Sequence, residues 1–168
     1  PEKRISNLAY GTYRDPPQSI DKLPDNVRVG IVNGREPFTT PPARRKQFRA
    51  IQQAWRKKTD NKLYMFENYL FTHGGSYTPA YALETIVESI NETKSFNRGE
   101  YIWLSLVGRL RQPGLNHALI YFTARSYWGG QRDAQAMIDE YCRKFYGPAS
   151  SEITKFFTYC EPHLAAMT

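Results

Sequence analysis

The stretch Lys62–Phe71 reads KLYMFENYLF, and it is followed by a second apolar run, YIWLSLV, at Tyr101–Val107. Apolar runs of this kind are typical of strands, and the second is nearly continuous, as expected for a strand that is buried on both faces. Between them, Thr78-Pro79 leads into a helical pattern over Tyr81–Glu92. A strand, a helix and a second strand in this order predict a parallel βαβ unit.

The same alternation extends outward from this unit. Arg4–Tyr10 and Val27–Val32 are predicted strands, and Ala43–Lys58 and Leu115–Trp128 are predicted helices. The connection between the first two strands, Pro16 to Asn26, has little helical potential, so we expect an abbreviated crossover or an irregular loop there.

The C-terminal part follows a different pattern. Arg132–Phe145 and Ser150–Leu164 are amphipathic helices separated by Gly147-Pro148, with no strand between them, which predicts a helical hairpin. The predicted fold class is α/β: four parallel strands with crossover helices over residues 1–128, followed by the hairpin over 129–168. A complete (βα)8 TIM-like barrel has about 250 residues, so the 168 residues of this chain fit its C-terminal half.

The charge pattern limits the classes of partner. The chain has 23 basic and 16 acidic residues and a net charge of +7, and seven of the cations cluster in Ala43–Lys58. They alternate there with Phe48, Ile51 and Trp55 at helical spacing, which predicts a solvated amphipathic helix and no nucleic-acid partner. No apolar run approaches the roughly 18 residues of a membrane span.

Polar side chains follow each predicted strand. In parallel α/β proteins, ligands bind at the carboxyl ends of the strands. These positions offer amide, phenol and guanidinium groups that suit a polyhydroxylated ligand. The predicted substrate-binding residues are Tyr10, Arg14, Asn33, Arg35, Asn68, Tyr69, His73 and Arg109.

Glu67 is the candidate catalytic residue. It lies among Met65, Phe66 and Tyr69, where burying a carboxylate costs free energy unless it has a function or a partner. It is interpreted either as an acid/base or sugar-hydroxyl acceptor, or as a carboxylate paired with a rim arginine. Glycoside hydrolysis normally requires two carboxyl groups. Asp15 and Glu36 are weaker candidates for the second, which we otherwise expect on strands outside this chain.

Other chemistries lack their signatures. The sequence has no metal-ligand cluster, P-loop, nucleophile elbow or Gly-rich dinucleotide fingerprint, so no cofactor and no metal are predicted. Arg14, Arg35, Arg109 and Arg111, the rim arginines, follow the predicted strands. A guanidinium group can bind a carboxylated or sulfated sugar in bidentate geometry, and it can bind a structural carboxylate in the same way.

Two stretches of the sequence resemble the C-terminal part of a bacterial domain-of-unknown-function family from glycan-degradation systems, whose barrels are similar to those of α-glucuronidases and β-hexosaminidases. The stretches contain Leu8-Ala9-Tyr10, Pro16-Pro17, Trp55 and Leu63–Tyr69, then Leu119-Ile120-Tyr121, Arg125, Trp128, Asp133 and Phe145–Ala149. The resemblance implies a secreted or periplasmic glycoside hydrolase-like barrel, in which Tyr10, Trp55, Trp128 and Tyr146-Gly147 shape the fold and Glu67 occupies the strand-end acidic position.

One departure from that pattern bears on activity. Related barrels often have a carboxylate near the end of the last strand, where this chain has Ser105–Arg109. The expected function is therefore part of a catalytic barrel acting on a polysaccharide or glycan. A non-catalytic carbohydrate-binding barrel and a basic structural or interaction module are the alternatives.

Overall fold

The computed structural model describes residues 3–33, 42–67, 83–102, 113–130 and 132–165. Its strands are β1 (Ile5–Ala9), β2 (Val27–Asn33), β3 (Leu63–Glu67) and β4 (Asn97–Ile102). They form one sheet in the order β1-β2-β3-β4, and every neighbouring pair is parallel. The predicted parallel α/β architecture is therefore confirmed, and this sheet is compatible with half of a barrel.

The described part of the chain has five α-helices, and they follow the predicted pattern. They are α1 (Pro42–Lys58), α2 (Leu83–Thr93), α3 (Pro113–Tyr127), α4 (Ala134–Tyr146) and α5 (Ser150–Ala165). Two described segments are short 3-10 helices, η1 (Gly11–Tyr13) and η2 (Gly147–Ala149). The connection from β1 to β2 contains no helix except η1, as expected for an abbreviated crossover or an irregular loop. None of the described helices is long and apolar enough to cross a membrane.

Helix α1 is amphipathic, as its sequence predicts. Phe48, Ile51 and Trp55 are buried against β1, β2 and β3, and most of the basic side chains between them are exposed. Trp55 also fixes the irregular crossover, because its Nε1 donates a hydrogen bond to the carbonyl oxygen of Arg14 at 2.7 Å. The first hydrophobic cluster of the molecule therefore joins the sheet to α1.

A second hydrophobic cluster joins the remaining helices. Phe122 of α3 is fully buried among residues of α2 and α4, and Phe157 of α5 packs against Tyr141 of α4. Both cysteines are free thiols. Cys142 is buried, and burial raises its pKa although a hydrogen bond with Thr154 acts in the opposite direction.

The position of the fourth strand corrects the sequence prediction. We expect the strand at Tyr101–Val107, whereas the structure begins β4 at Asn97, and residues 103–107 lie outside the described residues. Asn97-Arg98-Gly99-Glu100 is too polar to be recognised as a buried strand. These residues pair with β3 through a register shift between Leu63 and Met65, which places Arg98 and Gly99 at an irregular point of the ladder.

Candidate functional site: the strand ends and the open face of the sheet

The carboxyl ends of the strands lie in one row. Asn33, Glu67 and Ile102 are register partners at the ends of β2, β3 and β4. Tyr10 follows directly after the last residue of β1. The parallel sheet therefore brings together the strand-end positions that the sequence nominates, and the side chains of Tyr10 and Glu67 can be described there.

Glu67 is almost completely buried, with 1% of its surface exposed. It follows the alternation of Leu63 and Met65, which are buried against α1, so its side chain belongs to the helix side of the sheet. Phe66 points to the opposite face. A buried carboxylate at a strand end is a candidate functional group, because its burial is costly unless the group has a function or a partner.

Tyr10 and Arg14 occupy different environments after β1. The ring of Tyr10 is 56% exposed, as a platform for a sugar ring requires. The Arg14 guanidinium lies over the ring of Phe48, with its Cζ 5.2 Å from the ring centroid, so Arg14 packs against α1. Its predicted role in ligand binding stays a prediction, and the same holds for Tyr10.

The other predicted site residues lie outside what the structure describes. The backbone of Asn33 is in β2, but its side chain is not among the described groups. Asp15, the weaker acidic candidate, is exposed. The residues wholly outside the described ranges are Arg35, Glu36, Asn68, Tyr69, His73 and Arg109.

One face of the sheet has an open cavity of about 630 Å³, a feature that the sequence analysis missed. Phe66 and Tyr101, which are register partners on β3 and β4, have parallel rings on this face with centroids 6.1 Å apart. Tyr64 lies one step nearer the start of β3, and its ring covers Gly30. The sequence carries no signal of this face, because Tyr64 and Phe66 alternate with Leu63 and Met65 within one apolar run.

The opposite face is covered by helices. Gln52 of α1 contacts Met65 through its Nε2, 3.5 Å from the sulfur. Tyr127 of α3 donates a hydrogen bond from its hydroxyl to Glu100 at 2.9 Å. Met65 and Glu100 are register partners, and register partners of a parallel ladder point to the same side. Helices α1 and α3 therefore cover one face, and no described helix covers the other.

Cations gather at the amino-terminal end of the open face. Arg28, Lys62 and Arg98 all line the cavity. Arg28 and Lys62 are level with each other, because each lies two residues before a member of the register pair Gly30 and Tyr64. Arg28 donates a hydrogen bond to a backbone carbonyl oxygen, that of Asp25, at 2.7 Å. Within the described ranges, none of the three cations forms an ion pair.

One large pKa shift lies away from the strand ends. Glu140 of α4 accepts hydrogen bonds from Lys144, Tyr121 and Arg125, which together lower its pKa to about 2. This cluster joins α3 to α4 and has a structural role. Among the described residues, no group of three or more His, Cys, Asp or Glu side chains is arranged to hold a metal ion.

Comparison with protein families matches residues 1–158 to a domain of unknown function, DUF4838. The chain belongs to the DUF4838 family. No curated protein and no solved structure matches the chain. The predicted membership of a domain-of-unknown-function family is thus confirmed, and the features that this DUF4838 chain offers for a functional argument are its strand ends and its open sheet face.

Proposed function

We propose that this DUF4838 chain is part of a glycoside hydrolase-like barrel that acts on a polysaccharide or glycan outside the cytoplasm. The observation that best supports the proposal is Glu67, a carboxylate with 1% exposure at the end of a parallel strand. Strand ends are where barrel enzymes place their catalytic groups. In this proposal α4 and α5 form a helical hairpin on the outside of the barrel, and further strands of the whole protein complete it.

Each predicted residue has a role in the proposed site. Glu67 is an acid/base group or a sugar-hydroxyl acceptor, and Tyr10 and Tyr69 stack on sugar rings. Arg14, Arg35 and Arg109 bind hydroxyl or anionic groups of the glycan, and Asn33, Asn68 and His73 complete the polar lining. The second carboxyl group that hydrolysis requires is supplied by strands outside this chain.

A non-catalytic carbohydrate-binding barrel is the second candidate, and two observations favour it. Glu67 is on the helix side of the sheet, opposite the face of Phe66. The sequence Ser105–Arg109 also lacks the carboxylate that related barrels often have near the last strand. Both observations are consistent with a site that binds a glycan without cleaving it.

A glycan-binding and hydrolysis screen on the full-length protein tests these candidates. For the catalytic barrel, we expect Glu67→Gln to abolish turnover and preserve glycan binding. Glu88→Gln, at an exposed position of α2, is the matched control and should leave both unchanged. Binding without turnover in the unaltered protein would support the second candidate, and no glycan signal in either assay would contradict both.

Because Glu67 is buried, its substitution can also affect folding. Thermal unfolding of Glu67→Gln and of the unaltered protein should therefore accompany the screen. If Glu67→Gln keeps the unfolding temperature of the unaltered protein but loses turnover, the substitution acts on the chemical step. A variant that loses turnover in proportion to folded protein would argue for a structural role of Glu67.

A further inference from the structure

The open face of the sheet is arranged in layers from one end of the strands to the other. Arg28 and Lys62 form a cationic layer at the amino-terminal end, and Arg98, opposite Tyr64 at the register shift, adds a third cation just above this layer. Above it, the ring of Tyr64 lies across Gly30 toward Leu8. Phe66 and Tyr101 form an aromatic layer near the carboxyl ends. In closed parallel barrels the inward side chains also stack in layers, and alternate strands contribute each layer.

The aromatic layer is poorly protected from water in this chain alone. Tyr101 is 67% exposed although it belongs to a strand whose other face is covered by helices. Parallel sheets are normally covered on both faces, because their crossover connections and strand partners bury them. The exposed ring of Tyr101 therefore marks a face that another surface can cover.

The charge of the lower layer decides what can cover this face. Three cations there have no ion-pair partner among the described residues, and the nearby Glu100 accepts a hydrogen bond from Tyr127. Covering them with apolar groups would remove charges from water at a large cost in free energy. The covering surface therefore needs acidic groups at that level.

A second copy of the chain does not meet this requirement. Closing a barrel from two copies requires all strands to run parallel around one axis, so the two cationic layers would face each other at the same level. Like charges brought together in a poorly solvated interior repel strongly. Charge complementarity thus favours a different set of strands over self-association.

We infer that the open face is covered in the whole protein by further parallel strands that present carboxylates to Arg28, Lys62 and Arg98 and apolar side chains to Tyr64 and Phe66. This inference rests on the barrel of the proposed function, and it adds the chemistry of the missing surface. It does not depend on whether the barrel cleaves, binds or ignores a glycan.

Charge neutralisation in the full-length protein tests the inference. The side chains of Lys62 and Arg98 make no hydrogen bond with other described residues, so the double variant K62Q/R98Q changes charge with little local disturbance. If carboxylates cover them, the unfolding temperature falls by several degrees, because buried carboxylates lose their partners. The matched control is K46Q/K57Q, which removes two charges from exposed positions of α1 and should leave the temperature nearly unchanged.

An unchanged or higher unfolding temperature of K62Q/R98Q would overturn the inference. On a face that is open to solvent or that meets a second copy, removing the charges of Lys62 and Arg98 relieves repulsion among like charges. The unfolding temperature of K62Q/R98Q then stays the same or rises. Lysine labelling of the native protein gives an independent measurement. We expect Lys62 to react severalfold more slowly than Lys57, and equal rates would contradict a covered face.

The two proposals fail separately. A full-length protein without any glycan signal, but with the expected loss of stability and slow labelling of Lys62, would overturn the glycan function and leave the acidic covering strands in place. Glycan turnover, together with equal labelling rates of Lys62 and Lys57 and no loss of stability in K62Q/R98Q, would support the glycan function and overturn the acidic covering strands.

Discussion

At the scale of single residues, Gly30 shows how the open face of the sheet is built. A Cβ atom at position 30 would lie 2.2 Å from Cε2 of Tyr64 and 2.8 Å from Cδ2 of Leu8. The ring of Tyr64 can therefore lie across β2 only because residue 30 has no side chain. Glycine is needed here for a close approach, since its backbone angles are ordinary for a strand.

This contact predicts a destabilising effect of Gly30→Ala. We expect a loss of about 1–3 kcal/mol in the free energy of unfolding, because the Tyr64 ring must move. Combined with Tyr64→Ala, the substitution should cost less than the sum of the two single effects. Gly130→Ala, where a Cβ would meet nothing within 4 Å, is the control. Strict additivity in denaturant unfolding would contradict the contact.

A second residue-scale prediction concerns acid stability. The pKa of Glu140 is lowered to about 2 from 4.5 by hydrogen bonds from Lys144, Tyr121 and Arg125. A depressed carboxyl pKa contributes stability that is complete above the ordinary pKa and is lost as the pH falls toward the folded value. Glu140→Gln should therefore lower the unfolding temperature by a few degrees at neutral pH, and the difference should shrink between pH 4.5 and 2.

The exposed carboxylate of Glu152 provides the comparison for Glu140. Its ion pair with Lys155 is at the surface, with side-chain exposures of 70% and 74%, so Glu152→Gln should change the unfolding temperature little at any pH. If the two variants show the same pH profile, the hydrogen bonds to Glu140 do not stabilise the fold as the structure indicates.

At the scale of elements, the start of α2 is held by a residue from the far end of the chain. Glu161 of α5 accepts hydrogen bonds from the backbone N–H groups of Glu84 and Thr85 at 2.8 and 2.9 Å. Its Oε1 also accepts from the hydroxyl of Thr85. The carboxylate satisfies donors that a helix leaves free at its first turn, and burial raises its pKa despite these bonds.

This cap on α2 predicts that two substitutions of Glu161 destabilise the fold to different extents. Glu161→Ala should cost about 0.5–2 kcal/mol of unfolding free energy, because the α2 donors lose their acceptor. Glu161→Gln should cost less, since its amide oxygen can still accept. Hydrogen exchange at the amides of Glu84 and Thr85 should accelerate in Glu161→Ala. Unchanged exchange at both amides would show that the cap is not formed.

The elements also show how far the sequence alone could predict this structure. Apolar periodicity placed β1, β2, β3 and the five helices within a few residues, because burial on one face leaves a readable pattern. It missed the start of β4, where the polar residues after Asn97 pair with β3 through an irregular register. It also could not find the cap on α2, since a contact between residues 84 and 161 leaves no local signature.

The candidate site, like the fold, could be predicted only in part from the sequence. The rule of strand ends correctly brought Glu67 and Asn33 into one row. The composition of β3 could not show that Glu67 belongs to the helix side, because that depends on the phase of alternation in the folded sheet. The open face was missed for the same reason, as Tyr64 and Phe66 read only as parts of one apolar run.

At the scale of the whole molecule, the two hydrophobic clusters are distinct. One contains Ile31 and Trp55 and joins the sheet to α1, and the other contains Phe122 and joins α2 to α3, α4 and α5. Stability in proteins is often divided among cooperative units that open separately. We therefore expect the two clusters to respond differently to damage at their centres.

Cavity-forming variants test this division. Phe122→Ala should cost about 3–5 kcal/mol, because the side chain is fully buried. In native-state hydrogen exchange, protection should fall most in α2, α3 and α4 and least in β2 and α1. Ile31→Ala, also at 0% exposure, should give the reverse pattern. A uniform loss of protection in both variants would mean that the sheet and the helical cluster unfold as one unit, and that the packing of Ile102 against the second cluster couples them completely.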